Sequence, residues 1–147
     1  MIELDVQERV RRCVCGNLRM AARLVTQRYD DALRPTGLRF MQFTLLARLR
    51  ASDRLTMTEL AQQMALDRTT LTRNLKPLIE HDYAQTVSGK DRRERLVTLT
   101  DSGRAALRAA LPRWEQAQDS MTAGLGEDAT NELLGLLRAA GRVARGE

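Results

Sequence analysis

Between Leu55 and Thr100 the chain reads LTMTELAQQMALDRTTLTRNLKPLIEHDYAQTVSGKDRRERLVTLT, and this stretch constrains the fold more than any other. Two short helical patterns meet at a tight turn and are followed by two strand-like runs flanking a basic loop. The order helix, turn, helix, hairpin is that of a winged helix-turn-helix. The first helix starts where Thr56 or Thr58 can cap it, and Thr56-x-x-Glu59 has capping-box spacing, in which hydroxyl and carboxylate satisfy otherwise orphaned N–H groups. Leu60, Ala61, Met64 and Ala65 recur at helical spacing and the pattern stops at Leu66, after which Asp67 offers a second cap.

From Arg68 onward, Leu71, Leu75, Leu78 and Ile79 are expected to form one buried stripe. The opposite face carries Thr69, Thr70, Arg73 and Lys76, with Arg68 and Thr72 on its margins. A face that is short, polar and basic near a helix N-terminus suits DNA, because the helix dipole favours phosphate and the first turns reach base edges. Arg73 is the residue to pair bidentately with guanine, and the threonines suit base edges or a thymine methyl. Arg68 and Lys76 are better placed for phosphate. Pro77 removes a backbone donor and crowds the carbonyl of Arg73, so a kink or early loosening is expected there.

Beyond Tyr83, Ala84 to Val87 and Leu96 to Thr100 alternate as two strands of a hairpin. Between them Ser88-Gly-Lys-Asp-Arg-Arg-Glu-Arg95 places Lys90, Arg92, Arg93 and Arg95 at the tip. Such a cluster fits a minor groove or the phosphate backbone.

These residues resemble the MarR family of bacterial transcription regulators. The resemblance rests on Asp67-x-x-Thr70-x-Thr72-Arg73, on Asp91-x-Arg93, and on Val97-x-Leu99-Thr100-x-x-Gly103-Arg104. Leu38-x-x-x-Gln42-Phe43-x-Leu45-Leu46 and a helical C-terminal tail extend it over nearly the whole chain. It implies that Asp91 braces the wing and that Arg93 enters the minor groove.

The 147 residues suit one domain, with helices expected over 1–34 and 101–147 for dimerisation and the winged helix-turn-helix over 38–100. The net charge of +5 is carried almost wholly by arginine, Lys76 and Lys90 being the only lysines. A basic balance fits an anionic partner, and the clustering of cations in the second helix and the wing sets this apart from ordinary surface charge. The acidic start Met1-Ile-Glu-Leu-Asp is unlike a signal peptide, and no apolar run approaches the ~20 residues of a membrane span. A cytoplasmic protein is expected.

One long helix is expected from about Leu4 to Leu33, with Val6, Val10, Val14, Leu18, Ala21, Val25 and Ala32 as its apolar stripe. Pro35 and Gly37 end it, and Phe40 to Leu49 forms the next. After the wing, Thr100 or Asp101 caps a helix through Leu107, Leu111, Trp114, Ala117 and Met121, bent at Pro112 and ending near Gly124 and Gly126. A last helix carries Leu133, Leu134, Leu137, Ala140 and Val143. A single winged helix cannot cover these outer helices, so they are expected to pack on a second copy. A two-fold dimer also sets two recognition helices about 10 bp apart on an inverted repeat of double-stranded DNA.

Cys13 and Cys15 lie about 200° apart if the helix is continuous, and so cannot bridge without unwinding. Packing in a dimer interface is the plain reading of both. A second resemblance, to the organic-hydroperoxide sensors of the family, rests on Cys15-x-x-Leu18 and Tyr29 and implies a thiol switch at Cys15, although Arg19 replaces the nearer tyrosine. Arg19 itself would favour thiolate.

The family resemblance also implies a small aromatic or lipophilic effector between the dimer helices and the winged helix. Phe40, Phe43 and Trp114 are candidates to line its cleft, though each is also a natural core aromatic. His81 follows the recognition helix, where the helix dipole favours its cation. No nucleophile-base pair, phosphate loop, metal-ligand spacing or cofactor motif is legible, so an enzyme is not expected. The reading is a homodimeric repressor released from a pseudo-palindromic operator by an effector; peroxide sensing through Cys15 and a winged-helix interaction or architectural module are the alternatives.

Arg73→Ala is expected to weaken operator binding by roughly 1–3 kcal/mol, as loss of a base contact does. Titration of wild type and variant against the same duplex checks this, and equal affinities would remove Arg73 from the base-reading set.

Overall fold

The computed structural model describes residues 2–147, with side chains from Val6 onward. The helices are α1 (Ile2–Arg11), α2 (Val14–Leu33), α3 (Phe40–Ser52), α4 (Met57–Met64), α5 (Arg68–Glu80), α6 (Asp101–Leu125) and α7 (Glu127–Arg145). A 3₁₀ turn, Arg34–Thr36, leads from α2 towards α3, and Gly37 closes it in the left-handed region at φ 78°. The strands β1 (Arg54–Thr56), β2 (Ala84–Ser88) and β3 (Arg95–Leu99) form an antiparallel sheet in the order β1-β3-β2.

Leucine makes the core. Leu33, Leu45, Leu46, Leu49, Leu60 and Leu71 are wholly buried, and Leu75, Leu78, Val97, Leu99 and Ala110 close around them. The core therefore lies where α3, α4, α5 and the sheet meet, with α6 laid against it. Each buried leucine or valine among them contributes about 1.5–3 kcal/mol by leaving water. This cluster fixes the helix-turn-helix as a rigid body.

Several expectations are corrected. The N-terminal helix is not continuous: α1 ends at Arg11 and α2 begins at Val14. The N–H groups of Arg12 and Cys13 turn back to Arg9 and Val10, and the Asn17 amide straps the carbonyls of Arg11 and Cys13, each at 2.8 Å. Cys13, Val14, Cys15 and Gly16 are all weaker helix formers than alanine or leucine, and the Asn17 side chain competes with the ladder.

The sheet has three strands rather than a hairpin alone, since Arg54–Thr56 pairs with β3 in the register Arg54↔Thr98, Leu55↔Val97, Thr56↔Leu96. Three residues are too few for alternation to reveal a strand. Thr100 caps α6 instead of ending β3, its hydroxyl accepting from the Gly103 N–H at 2.9 Å.

Ile79 stands 43% exposed, off the stripe of Leu71, Leu75 and Leu78. Each four-residue step turns about 40°, so two steps carry it some 80° from Leu71. Helix α5 continues through Pro77 to Glu80, held on both sides of the proline by buried Leu75 and Leu78. Helix α6 likewise runs through Pro112, and the break towards α7 falls at Gly126 alone, with Gly124 still helical.

Gly103 in the first turn of α6 is buried, and a Cβ there would run into the carbonyl oxygen of Tyr83 and stand 2.9 Å from Leu99 Cδ1. Backbone cannot retreat as a flexible side chain can. Gly103→Ala is expected to lower stability by about 1–3 kcal/mol, the range for overpacking. Unaltered thermal unfolding in the variant would contradict this close approach.

Candidate nucleic-acid interface

Both helices of the motif begin on side-chain caps. Thr56 accepts from the Glu59 N–H at 3.1 Å, and the Glu59 carboxylate returns to the Thr56 N–H at 2.8 Å, which completes the capping box. Between the helices Ala65 adopts the left-handed conformation at φ 50°, ending α4, and Asp67 caps α5. Asp67 Oδ1 accepts from the Thr70 N–H at 2.8 Å, while its Oδ2 accepts from the Thr70 hydroxyl at 2.6 Å. This clamp fixes the start of the recognition helix.

The Thr70 hydroxyl, followed by its N–H, holds the Asp67 carboxyl below the usual carboxylate range. The N–H and then the hydroxyl of Thr56 do the same for Glu59.

With Leu71, Leu75 and Leu78 buried, α5 presents Arg68, Thr69, Thr72, Arg73 and Lys76 to solvent, and Thr70 is half-buried. Lys76 pairs with Glu80 at 3.8 Å, an exposed i,i+4 contact that partly offsets its charge. The basic character of the face is therefore concentrated in its N-terminal half. Asn74, absent from the sequence-based set, donates to the Thr70 carbonyl at 2.9 Å on the edge of the same face.

In the wing, Lys90, Arg92, Arg93 and Arg95 are all exposed. The turn is internally held: Gly89 N–H donates to the Glu94 carbonyl at 2.8 Å, Glu94 N–H to the Asp91 carbonyl at 2.9 Å, and Arg93 N–H to Asp91 Oδ1 at 3.1 Å. Asp91 thus orders the loop through the backbone on either side of Arg92, leaving the arginine heads outward. The Glu94 side chain folds over Gly89, where any Cβ would collide with its carboxylate.

A 600 Å³ cleft separates the wing from the β1–α4 corner, lined by Lys90 and Glu94 on one side and Arg54, Thr56 and Glu59 on the other. Exposed Arg54 extends the basic surface. Its place beside the wing follows from β1, which is too short for its residues to show alternation, and its guanidinium lies 4.0 Å from the Asp53 carboxylate.

The other candidate residues are distributed differently. Tyr29 is buried and donates to Gln118 Oε1 at 2.6 Å, with its ring 5.2 Å from that of Phe40; burial raises its pKa. Phe43 belongs to the core and stacks on Trp114 at 5.8 Å. A 420 Å³ groove at the α2–α3 junction is lined by Gln27, Asp30, Asp31, Arg34, Gly37, Leu38 and Arg39, not by Phe40, Phe43 or Trp114. Within one chain Phe43 is buried, while Phe40 and Trp114 are half-buried against the core.

Cys13 and Cys15 are free and exposed at the start of α2, and Cys13 Sγ accepts from the Gly16 N–H at 3.4 Å. Fourteen residues of helix, about 21 Å, separate Cys15 from Tyr29, so one chain does not bring that pair together. Among the described residues, no group of three or more His, Cys, Asp or Glu is placed to hold a metal, and no helix is long and apolar enough to cross a membrane.

A polar helix face started by a charged clamp, flanked by a cationic hairpin, defines a winged helix-turn-helix DNA-binding protein. The chain belongs to the MarR family of transcriptional regulators, whose family model matches residues 36–94. Over 91 residues, 62% of this chain and 66% of the relative, it is 33% identical to YwoH, an uncharacterized HTH-type transcriptional regulator of Bacillus subtilis. It is 39% identical to the M. tuberculosis transcriptional regulator MosR solved in complex with DNA, with a TM-score of 0.76 over 89% of this chain and 98% of that one. BpsR of Bordetella bronchiseptica, whose DNA binding is regulated by 6-hydroxynicotinic acid, is 26% identical with a TM-score of 0.80 over 88% of this chain and 94% of its own.

The Asp67 clamp makes stability depend on pH with a definite sign. A carboxyl whose folded pKa is depressed stabilises the fold fully above its unfolded value, about 4, and loses that contribution as pH falls through the folded value. Asp67→Asn is expected to melt below wild type at pH 7, with the gap closing on acidification towards pH ~3. Thermal midpoints across that range provide the check, and a gap independent of pH would exclude the charged clamp.

Proposed function

We propose that this chain is a homodimeric repressor that occupies an inverted-repeat operator and leaves it when a small molecule alters the spacing of its two recognition helices. The observation that carries this reading is the exposed face Arg68, Thr69, Thr72, Arg73 beside the outward cations of the wing, in a chain 39% identical to a regulator solved on DNA. The cations contact phosphate and the minor groove, Asp91 braces the wing that delivers Arg93, and the recognition helix enters the major groove. Such a protein acts in the cytoplasm, where the DNA is.

The second copy follows from unburied apolar surface. Val6, Val10, Val14 and Leu18 on α1 and α2, and Leu133, Leu134, Leu136 and Leu137 on α7, are between 38% and 67% exposed in one chain. Helices with such faces require partners. The effector reading draws on BpsR, and it assigns this chain a small aromatic acid bound where the dimer helices meet the winged helix. A coupling of about 1–3 kcal/mol between effector and operator is sufficient for release.

A second reading, thiol-controlled release, is favoured by the helix break. Cys13 lies at the N-cap with φ −67° and ψ 116°, so the two cysteines are not held on opposite sides of one continuous helix. In this chemistry the Cys15 thiolate attacks a hydroperoxide, the O–O bond breaks, an alcohol leaves and a sulfenic acid remains. The Cys13 thiol then displaces water to form a disulfide.

Binding of the purified protein to its own upstream intergenic DNA tests both readings. At physiological salt a preference of at least about 10³ over scrambled duplex is expected, and equal binding to both would end the regulator reading. Under the second reading cumene hydroperoxide releases wild type, reductant restores it, and Cys15→Ser stays bound; peroxide release of Cys15→Ser would dismiss the thiol.

A further inference from the structure

Three threonines stand in the first turns of the recognition helix, and their hydroxyl groups are engaged differently. Thr70 donates its only hydroxyl proton to Asp67 Oδ2 at 2.6 Å, and Thr72 donates its own to the Arg68 carbonyl at 2.8 Å. A hydroxyl carries one proton, so neither retains a donor for a base. The Thr69 side chain has no hydrogen-bond partner among the described residues, and it is exposed.

The positions of the three differ as well. Thr69 and Arg73 are four residues apart and so lie about 40° from each other on the face opposite Leu71 and Leu75. Arg73 is exposed and makes no ion pair among the described residues, so its guanidinium remains available. Thr70, half-buried, is further tied by the Asn74 amide on its carbonyl. Thr72 is exposed, but its hydroxyl is turned back onto the preceding turn. The γ-methyl, the other heavy atom on its Cβ, is not engaged in that bond and belongs to an exposed side chain.

We infer that Thr69 and Arg73 read base edges by hydrogen bonding, that Thr72 reads a thymine through its methyl group, and that Thr70 holds the helix start without reading a base. Thymine is the base that offers a methyl in the major groove, so an apolar group on a recognition helix selects it by contact alone. The three hydroxyls, equivalent in the sequence, thus divide into a reader, an apolar reader and a brace. The inference rests on the operator-binding reading above.

Paired substitutions and a base lacking one methyl group test it. The protected segment of the upstream intergenic DNA is located by footprinting, and each thymine in it is replaced singly by deoxyuridine. At one thymine per half-site, deoxyuridine is expected to weaken wild type about fourfold, the effect of one methyl-sized apolar contact.

Thr72→Val keeps the methyl and is expected to bind like wild type with the same deoxyuridine penalty. Thr72→Ser keeps the hydroxyl and is expected to bind thymine DNA about fourfold more weakly, indifferent to deoxyuridine. At position 69 the order reverses, with Thr69→Ser binding like wild type and Thr69→Val losing about tenfold or more. Circular dichroism confirms that each surface variant is folded. A tight Thr72→Ser and a weak Thr72→Val, or no deoxyuridine penalty anywhere in a protected site, overturns the assignment while leaving the regulator intact. Absence of any protected segment for wild type overturns both.

Discussion

The rest of the molecule depends on a junction a few residues wide, where the sheet hands over to α6. Thr100 donates its N–H to the Tyr83 carbonyl at 3.2 Å and its hydroxyl to the carbonyl of Asp82, while the same oxygen accepts from Gly103. Asp82 meets this geometry in the left-handed region at φ 57°. One threonine therefore ties the end of the recognition helix, the start of β2 and the start of α6 together. Because Gly103 has no Cβ, α6 approaches the Tyr83 backbone closely enough for that tie to form.

This junction links two bodies of different character. Around α3, α4 and α5 the leucine core is closed, and the polar, basic face of α5 rests on it as on a plate. Along α1, the N-terminal part of α2 and α7, Val6, Val10, Val14, Leu18, Leu133, Leu134 and Leu137 remain open to solvent in one chain. Helix α6 belongs to both, because Ala110 packs into the core while Gln118 and Ser120 take hydrogen bonds from Tyr29 and Arg28 of α2. Helix α2 is thus joined to the winged helix through α6 by packed side chains and two polar contacts.

Much of this was legible because local chemistry agreed with tertiary packing. Thr56, Glu59 and Asp67 act as caps in the roles their spacing implied, and Leu71, Leu75 and Leu78 are buried as their period required. What was not legible depended on partners distant in sequence. Leu55 is a strand residue only because Val97 lies opposite, and Tyr29 is a packing residue only because Gln118 meets its hydroxyl. The break before α2 was missed because the apolar stripe continues across it while Asn17 ends the ladder. On the exposed face of α5 the polar and basic residue types are plain in the sequence, but hydroxyl commitments such as Thr72 to Arg68 depend on rotamers that a sequence does not state.

Gly126 connects α6 to α7 with φ 88° and ψ 151°, a combination essentially confined to glycine. Any other residue there would favour continuing the helix, joining Asp101 to Arg145 in one rod about 68 Å long. A rod would carry Leu133, Leu134 and Leu137 away from the body of the chain, with no way to double back. The glycine therefore acts as a length limiter: it ends α6 at Leu125 and lets α7 set out in a new direction with its apolar face still open.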